Sequence, residues 1–374
     1  MKDLIEIVEE LTSLQGNVGY EDEVIRYIVD FASGLGYSCN VDKIGNVKIH
    51  ITPENIGQKK LMFFAHSDEV GMMIRKIDDH GFIYCEKLGS LNPKCLAGLK
   101  MQIEIGEKKF NAVIGVKSHH LSGVESKAEG TKAQDYYLDV GAESKEQVLK
   151  AGIRVGARVS YKSQFVRLLN GLVANKSMDD RALIAILLYE LQGLKKENIS
   201  CDLYYVIGVQ EEFNTRGIMP MARTIHPDLA VGLDVTPATD SPDLNGYSEI
   251  RVGHGPALTY MNHHSRGTLA GIVPNEKLLH YIEKLAEKNG FSIQREVATG
   301  ILTETAYLAI ENEDISVASI SLPTRYTHTP VEVISLKDLE KVGVLITSLI
   351  YQYDSETDFG KNQDIKIRKE GEYD

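Results

Sequence analysis

The sequence predicts an α/β fold, a sheet covered by helices on both faces and interrupted by a β-rich insertion. Three observations predict it. Helix-length amphipathic segments alternate with short apolar runs in both the early and the late parts of the chain. The run Leu61-Met62-Phe63-Phe64-Ala65 is apolar at every position, as a strand buried on both faces must be. From about residue 72 to 161 the texture changes to β-like runs punctuated by glycines and charged pairs.

The elements follow in order. Leu4, Ile5, Val8, Leu11 and Leu14 recur at helical spacing until Gly16 and Gly19 break the pattern. A second helix starts near Glu21, carries Val24, Ile25, Ile28, Val29, Ala32 and Leu35 on one face, and ends at Gly36. Strands are expected at 47–51 and 61–65, and then, inside the insertion, at 101–105, 112–116, 136–140 and 155–159. The stretch 122–135 is polar and reads as loop. Alternation then resumes, with helices at 182–194, 278–289 and 336–353 and strands at 202–209, 229–233 and 316–322. The tail from Ser355 is polar and is expected to fray.

Composition narrows the partners. The 374 residues include 41 basic and 53 acidic side chains, a net charge of −12, which disfavours nucleic acid or an anionic membrane surface. No apolar stretch reaches the roughly 18–20 residues of a membrane span. The first ten residues mix acids with aliphatics, unlike a secretory signal. Cys39, Cys85, Cys95 and Cys201 are widely spaced and form no CxxC pair, which fits a reducing, cytoplasmic setting better than a disulfide or zinc-ribbon framework.

Chemistry concentrates at the ends of the expected strands. The 61–65 run leads into His66-Ser67-Asp68, and 202–209 leads into Gln210-Glu211-Glu212. The 229–233 run ends at Asp234, and 316–322 leads through Pro323-Thr324-Arg325-Tyr326-Thr327 to His328. Ligands of open α/β sheets bind outside the carboxyl ends of the strands. Asp179-Asp180-Arg181 precedes a helix, where acids are favoured. Mixed His and carboxylate donors suit zinc, cobalt(II) or manganese(II). Five ligands exceed what one tetrahedral catalytic ion takes and fit two ions sharing a carboxylate. Glu211 and Glu212 can divide the work between ligand and general base. Each residue alone has an ordinary explanation: a half-buried histidine, a solvated Glu-Glu edge, an N-capping aspartate, a proline-flanked turn. Their shared placement at strand ends favours a metal site.

The motifs are also specific. His66-Ser67-Asp68-Glu69-Val70-Gly71 resembles the His-x-Asp-Glu-(Ile/Val)-Gly signature of the tetrahedral aminopeptidases, the glutamyl and deblocking aminopeptidases once labelled cellulases or endoglucanases. Lys176-Ser177-Met178-Asp179-Asp180-Arg181 resembles their Lys-Ala-x-Asp-Asp-Arg turn. Gln210-Glu211-Glu212 with Arg216-Gly217, Asp234-Val235-Thr236 and Pro323-Thr324-Arg325-Tyr326-Thr327-His328 are similar to three further blocks. Tyr137-Leu138-Asp139-Val140-Gly141-Ala142 resembles a phrase of their insertion. The likeness runs from about residue 4 to 353, with motif order kept throughout.

The resemblance implies a zinc-peptidase-like α/β/α catalytic domain (1–71 and 162–354), an inserted β-barrel dimerisation domain (72–161) and a polar tail (355–374). It implies two divalent ions per subunit, zinc first, with cobalt or manganese as alternatives. Asp179 would bridge them through a carboxylate whose following peptide bond is cis. His66 and Asp234 would complete one site, Glu212 and His328 the other. Glu211 would be the general base, and Asp68 would orient the His66 ring. The products would come from the N-termini of peptides, and subunits would pair into a homo-oligomer, by resemblance a tetrahedral dodecamer.

One block departs. Where many members have Gly-Gly-Thr-Asp-Ala, this chain has Ile301-Leu302-Thr303-Glu304-Thr305, which leaves side-chain preference open. His119-His120 and His263-His264 lack partner clusters and read as loop or interface residues. A deacylase or carboxypeptidase would use the same metals. A glycoside hydrolase needs two opposed carboxylates and no metal. Adjacent Glu211 and Glu212 on an extended segment would point apart and serve it poorly. A scaffold protein has little use for costly buried acids.

Overall fold

Alternate residues of one strand pack into two different cores, and this builds the layers. The computed structural model describes residues 1–118, 120, 132–264, 271–312 and 315–360. In the strand Lys60–His66, Leu61, Phe63 and Ala65 join the larger core, while Met62 and Phe64 join a smaller one on the opposite face. The same alternation runs along Asp202–Gly208 and Leu229–Pro237. The uniformly apolar run therefore reflects a sheet with no wet face.

Four strands form the parallel centre, in the order Asp202–Gly208, Lys60–His66, Leu229–Pro237 and Ser316–Thr324. Antiparallel strands flank them: Val47–His50 and Ser38–Val41 on one side, Ala257–His263 on the other. Gly271–Ile272 and Gln294–Thr299 complete the sheet beside Ala257–His263. The helix Met178–Leu191 lies in the larger core and is apolar almost all the way round, from Ala182 to Leu188. Leu4–Ser13, Asp22–Gly34, Glu276–Lys288 and Leu336–Gln352 contribute to the same core. Met219–Ile225 and Thr305–Leu308 cover the other face.

A closed six-stranded barrel interrupts this sheet. Its strands run Gly71–Ile77, Ile83–Leu88, Tyr137–Asp139, Lys108–Ile114, Lys100–Ile105 and Arg158–Tyr161 around the circle, over a core of their own. Closure removes the exposed edges an inserted sheet would otherwise present. Three departures from the sequence reading have local causes. The first two barrel strands escape notice because a register shift between Ile74 and Lys76 breaks the period-two pattern. A short helix, Lys145–Ala151, also lies in the insertion, capped by the Ser144 hydroxyl and closed by Gly152 at φ 103°. The strand expected to stop at 233 continues to Pro237, so Asp234 lies within a strand and not past its end.

The segment after Ser355 is docked through its first residues. Phe359 packs against Tyr281 with ring centroids 5.4 Å apart, and the Thr357 carbonyl accepts from Lys59. The rest of the tail, residues 361–374, lies outside the described residues, as do His119 and most of the polar stretch 122–135.

Candidate active site

The carboxyl ends of the parallel strands deliver the reactive side chains to one place, as such sheets do. His66 is the last residue of Lys60–His66. Asp234 lies near the end of Leu229–Pro237, and His328 follows Ser316–Thr324. Asp179 and Asp180 open the Met178–Leu191 helix with non-helical backbone angles, and the peptide bond between them is cis. All five predicted ligand residues meet here, together with Glu211.

Asp179 is the geometric centre. Its Oδ1 lies 3.1 Å from His66 Nε2, and its Oδ2 lies 3.2 Å from His328 Nε2. His328 Nε2 is also 3.2 Å from Glu212 Oε1. Oxygen and nitrogen atoms of His66, Asp179 and Glu212 lie within 4.8 Å of one another, as do those of His66, Asp180 and Asp234. Nδ1 of His328 faces the Ser90 carbonyl at 3.2 Å, an acceptor that would take the Nδ1 proton if Nε2 gave its lone pair to a metal. Ser90 belongs to the barrel segment, which therefore helps to aim a residue of the sheet.

The turn carrying Glu211 and Glu212 is held by its amides. Asp68 Oδ1 accepts from Glu211 N and Oδ2 from Glu212 N, each at 2.9 Å, and Glu21 Oε1 accepts from Gln210 N at 3.2 Å. Asp68 also lies 3.5 Å from His66 Nδ1, which makes no hydrogen bond among the described residues. Asp68 thus faces the ring, but its closest partners are the two amides. The expectation of an extended Glu211-Glu212 segment is wrong: both residues lie in a turn, and both line the same cleft. Their adjacency gives no argument against paired carboxylates, so the case against a glycosidase rests on the histidines and further acids around them.

Three supporting residues went unassigned in the sequence. Glu332 Oε2 accepts from Asp179 N at 3.0 Å and its Oε1 from His328 N at 2.6 Å, one carboxylate tying two proposed ligands together. Asp180 Oδ2 accepts from His66 N at 3.0 Å. Glu69 sits beneath the site on Lys176 Nζ, Ser177 Oγ, Arg181 and Gly16 N. Glu69, Lys176 and Arg181 do stand in the quoted motifs, whereas only a fold reveals Glu332. Removing its carboxylate by Glu332→Ala leaves two amides unpaired, and metal affinity is expected to drop roughly 10–100-fold, as for other outer partners. A metal titration giving an unchanged affinity contradicts that role.

The charges call for a cation. Burial pushes the carboxyls of Glu211, Asp234 and Asp180 well up, and neighbouring acids push the same way. Burial also acts to raise Asp179, but hydrogen bonds to His328 and His66 hold it below its ordinary value. Glu211 Oε1 and Asp180 Oδ1 are buried without a hydrogen-bond partner among the described residues. Buried acids gathered at this density, with unused oxygens, need a positive charge to stay ionised. Hard oxygen donors with two imidazoles fit zinc-like divalent ions.

Asp179, Glu211, Glu212, Asp234 and His328 open onto a cleft of about 440 Å³. Ile301, Leu302 and Thr303 of the divergent block form part of its lining, and so does His264, for which the sequence predicts a loop or interface place. His263, its neighbour, is exposed. His120 is exposed too.

The family model described as M42 glutamyl aminopeptidase matches residues 45–345. The chain belongs to the M42 glutamyl aminopeptidase family. SgcX of Escherichia coli K12 is 39% identical over 308 residues, 82% of this chain and 83% of that protein. The solved aminopeptidase APDkam598 of Desulfurococcus kamchatkensis has a TM-score of 0.87 at 30% identity, covering 94% of this chain and 96% of that one. The TET1 peptidase of Pyrococcus horikoshii, described as assembling into a tetrahedron or a large octahedral shell, has a TM-score of 0.83 at 27% identity over 94% and 100%. As an M42 peptidase the chain is a metal-dependent aminopeptidase, a hydrolase acting on peptides, with the α/β fold and inserted barrel of its relatives. Among the described residues no helix is long and apolar enough to cross a membrane.

Proposed function

We infer that the chain removes N-terminal residues from peptides with two divalent ions, zinc before cobalt or manganese, held on either side of Asp179. One observation carries this reading: the two oxygens of Asp179 face two different histidines, 3.1 Å from His66 Nε2 and 3.2 Å from His328 Nε2. Asp234 joins His66 on one side, and Glu212 joins His328 on the other. Bound ions would supply the positive charge that polarises the scissile carbonyl and acidifies the attacking water.

The chain's own residues do the rest. Glu211, buried and with an unpartnered Oε1, takes a proton from the attacking water and returns it to the departing amine. Asp68 holds the turn that carries this base. The acids around the cleft meet the free α-amine of the substrate, which restricts cleavage to N-termini. The barrel, 72–161, acts as the dimerisation domain, 1–71 with 162–354 as the catalytic domain and 355–374 as the tail. The likeness to TET1 supports a homo-oligomer, by that likeness a tetrahedral dodecamer. Four free cysteines fit a reducing cytoplasm.

A deacylase built on the same metals is the competing reading, and substrate blocking separates them. Metal-loaded protein is expected to cleave free aminoacyl anilides faster than their N-acetylated forms. A preference for the acetylated substrate contradicts the aminopeptidase reading.

A further inference from the structure

The cleft wall has a chemistry of its own beyond the reactive set. Its ionisable lining residues, among those described, are Asp179, Glu211, Glu212, Asp234, His264, Tyr307 and His328. No lysine or arginine is among them, and no carboxylate beyond the four at the centre. The remaining lining is mixed: Val235, Pro237, Ile301 and Leu302 are apolar, beside the neutral polar Ser90, Asn214, Thr215, Thr303 and Thr327.

Ile301 and Leu302 stand where the resembled family pattern has two glycines. They add branched aliphatic bulk to a place where that pattern offers none. Leu302 packs against the smaller core, beside the fully buried Ala306 and Leu308 of the helix that follows, so this wall is backed by a rigid element. The acid of the block is turned away. Glu304 is 3% exposed and absent from the lining, and its Oε1 accepts from Ile218 N at 2.8 Å. Its Oε2 sits against the end of a central strand, 3.0 Å from where a Cβ on Gly208 would stand. Glu304 therefore offers no charge to a basic side chain entering the cleft.

We propose that Ile301 and Leu302 make the site selective for peptides whose first side chain is an uncharged aliphatic of leucine or methionine size. The proposal rests on the aminopeptidase reading and names its substrate class. Among the described residues, a glutamyl side chain would lose its hydration against Ile301 and Leu302 without meeting a cation, and a lysyl side chain would do so without meeting a free acid outside the metal-facing set. An aliphatic side chain gains by the same burial. Discrimination in apolar pockets runs at roughly 10–200-fold per methylene-scale change.

The test compares leucyl, alanyl, glutamyl and lysyl p-nitroanilides on metal-loaded wild type, Ile301→Thr and the Ile301→Gly/Leu302→Gly double variant, each checked for an unchanged melting temperature. In parallel, binding of leucine, glutamate and lysine hydroxamates is read by thermal shift, which needs no turnover. Wild type is expected to favour leucyl over glutamyl and lysyl by roughly tenfold or more in kcat/KM, with the hydroxamates in the same order. The double variant is expected to lose roughly tenfold on leucyl while alanyl changes little, and Ile301→Thr to move the same way by less. A wild-type preference for glutamyl or lysyl, or equal losses on leucyl and alanyl, overturns the proposal and leaves the aminopeptidase reading standing. Selective binding of leucine hydroxamate with no anilide cleaved supports the pocket and overturns the catalytic reading.

Discussion

Glu211→Gln is expected to bind metal as the parent does and to turn over aminoacyl substrates roughly 10²–10⁴-fold more slowly. The substitution keeps the volume and the turn, because Asp68 holds the turn through the main-chain amides of residues 211 and 212, which the change leaves in place. It removes only the capacity to take up a proton. The unpartnered Oε1 and the absence of a close histidine contact, 4.0 Å from His66 Nε2 at the nearest, fit a base better than a ligand. Metal analysis alongside single-turnover rates checks this. Loss of metal would make Glu211 a ligand, and near-normal turnover would remove it from the chemistry.

Asp179→Asn is expected to lose both metal and activity. An amide oxygen can still face one histidine side, but the NH₂ group then faces the other, and the negative charge shared by both is gone. The loss of affinity should exceed the roughly 10–100-fold that an outer partner such as Glu332 costs. Equilibrium dialysis at several metal concentrations reads it directly. Neighbouring Asp180 gives a contrast, since its Oδ2 is engaged by His66 N. A fully loaded Asp179→Asn protein contradicts the bridging role.

Much of the site is legible in the sequence because strands buried on both faces leave so little ambiguity. The 61–65 run can only be a central strand, so His66 must emerge at its end. The same logic places Glu211, Glu212 and His328 beside the cleft. Asp234 also lines the cleft although its strand runs on to Pro237, since the strand still delivers it to the same end of the sheet. The supporting shell is not legible in this way. Glu332 and Glu21 act on amides 153 and 189 positions away in the chain, and no local pattern marks such a partner. His264 reaches the cleft just past the end of the strand Ala257–His263, whose mixed polarity hides it. The first barrel strand, Gly71–Ile77, is obscured by a bulge and by charged outward residues such as Arg75 and Lys76. Periodicity finds what is buried on both sides and loses what is half exposed.

The most direct measurement is anomalous diffraction from crystals of the zinc-loaded protein, collected on both sides of the metal absorption edge. Two peaks per chain are expected, one between Asp179 and His66 with Asp234 beside it, and one between Asp179 and His328 with Glu212 beside it. A single peak, or two peaks that do not share Asp179, contradicts it.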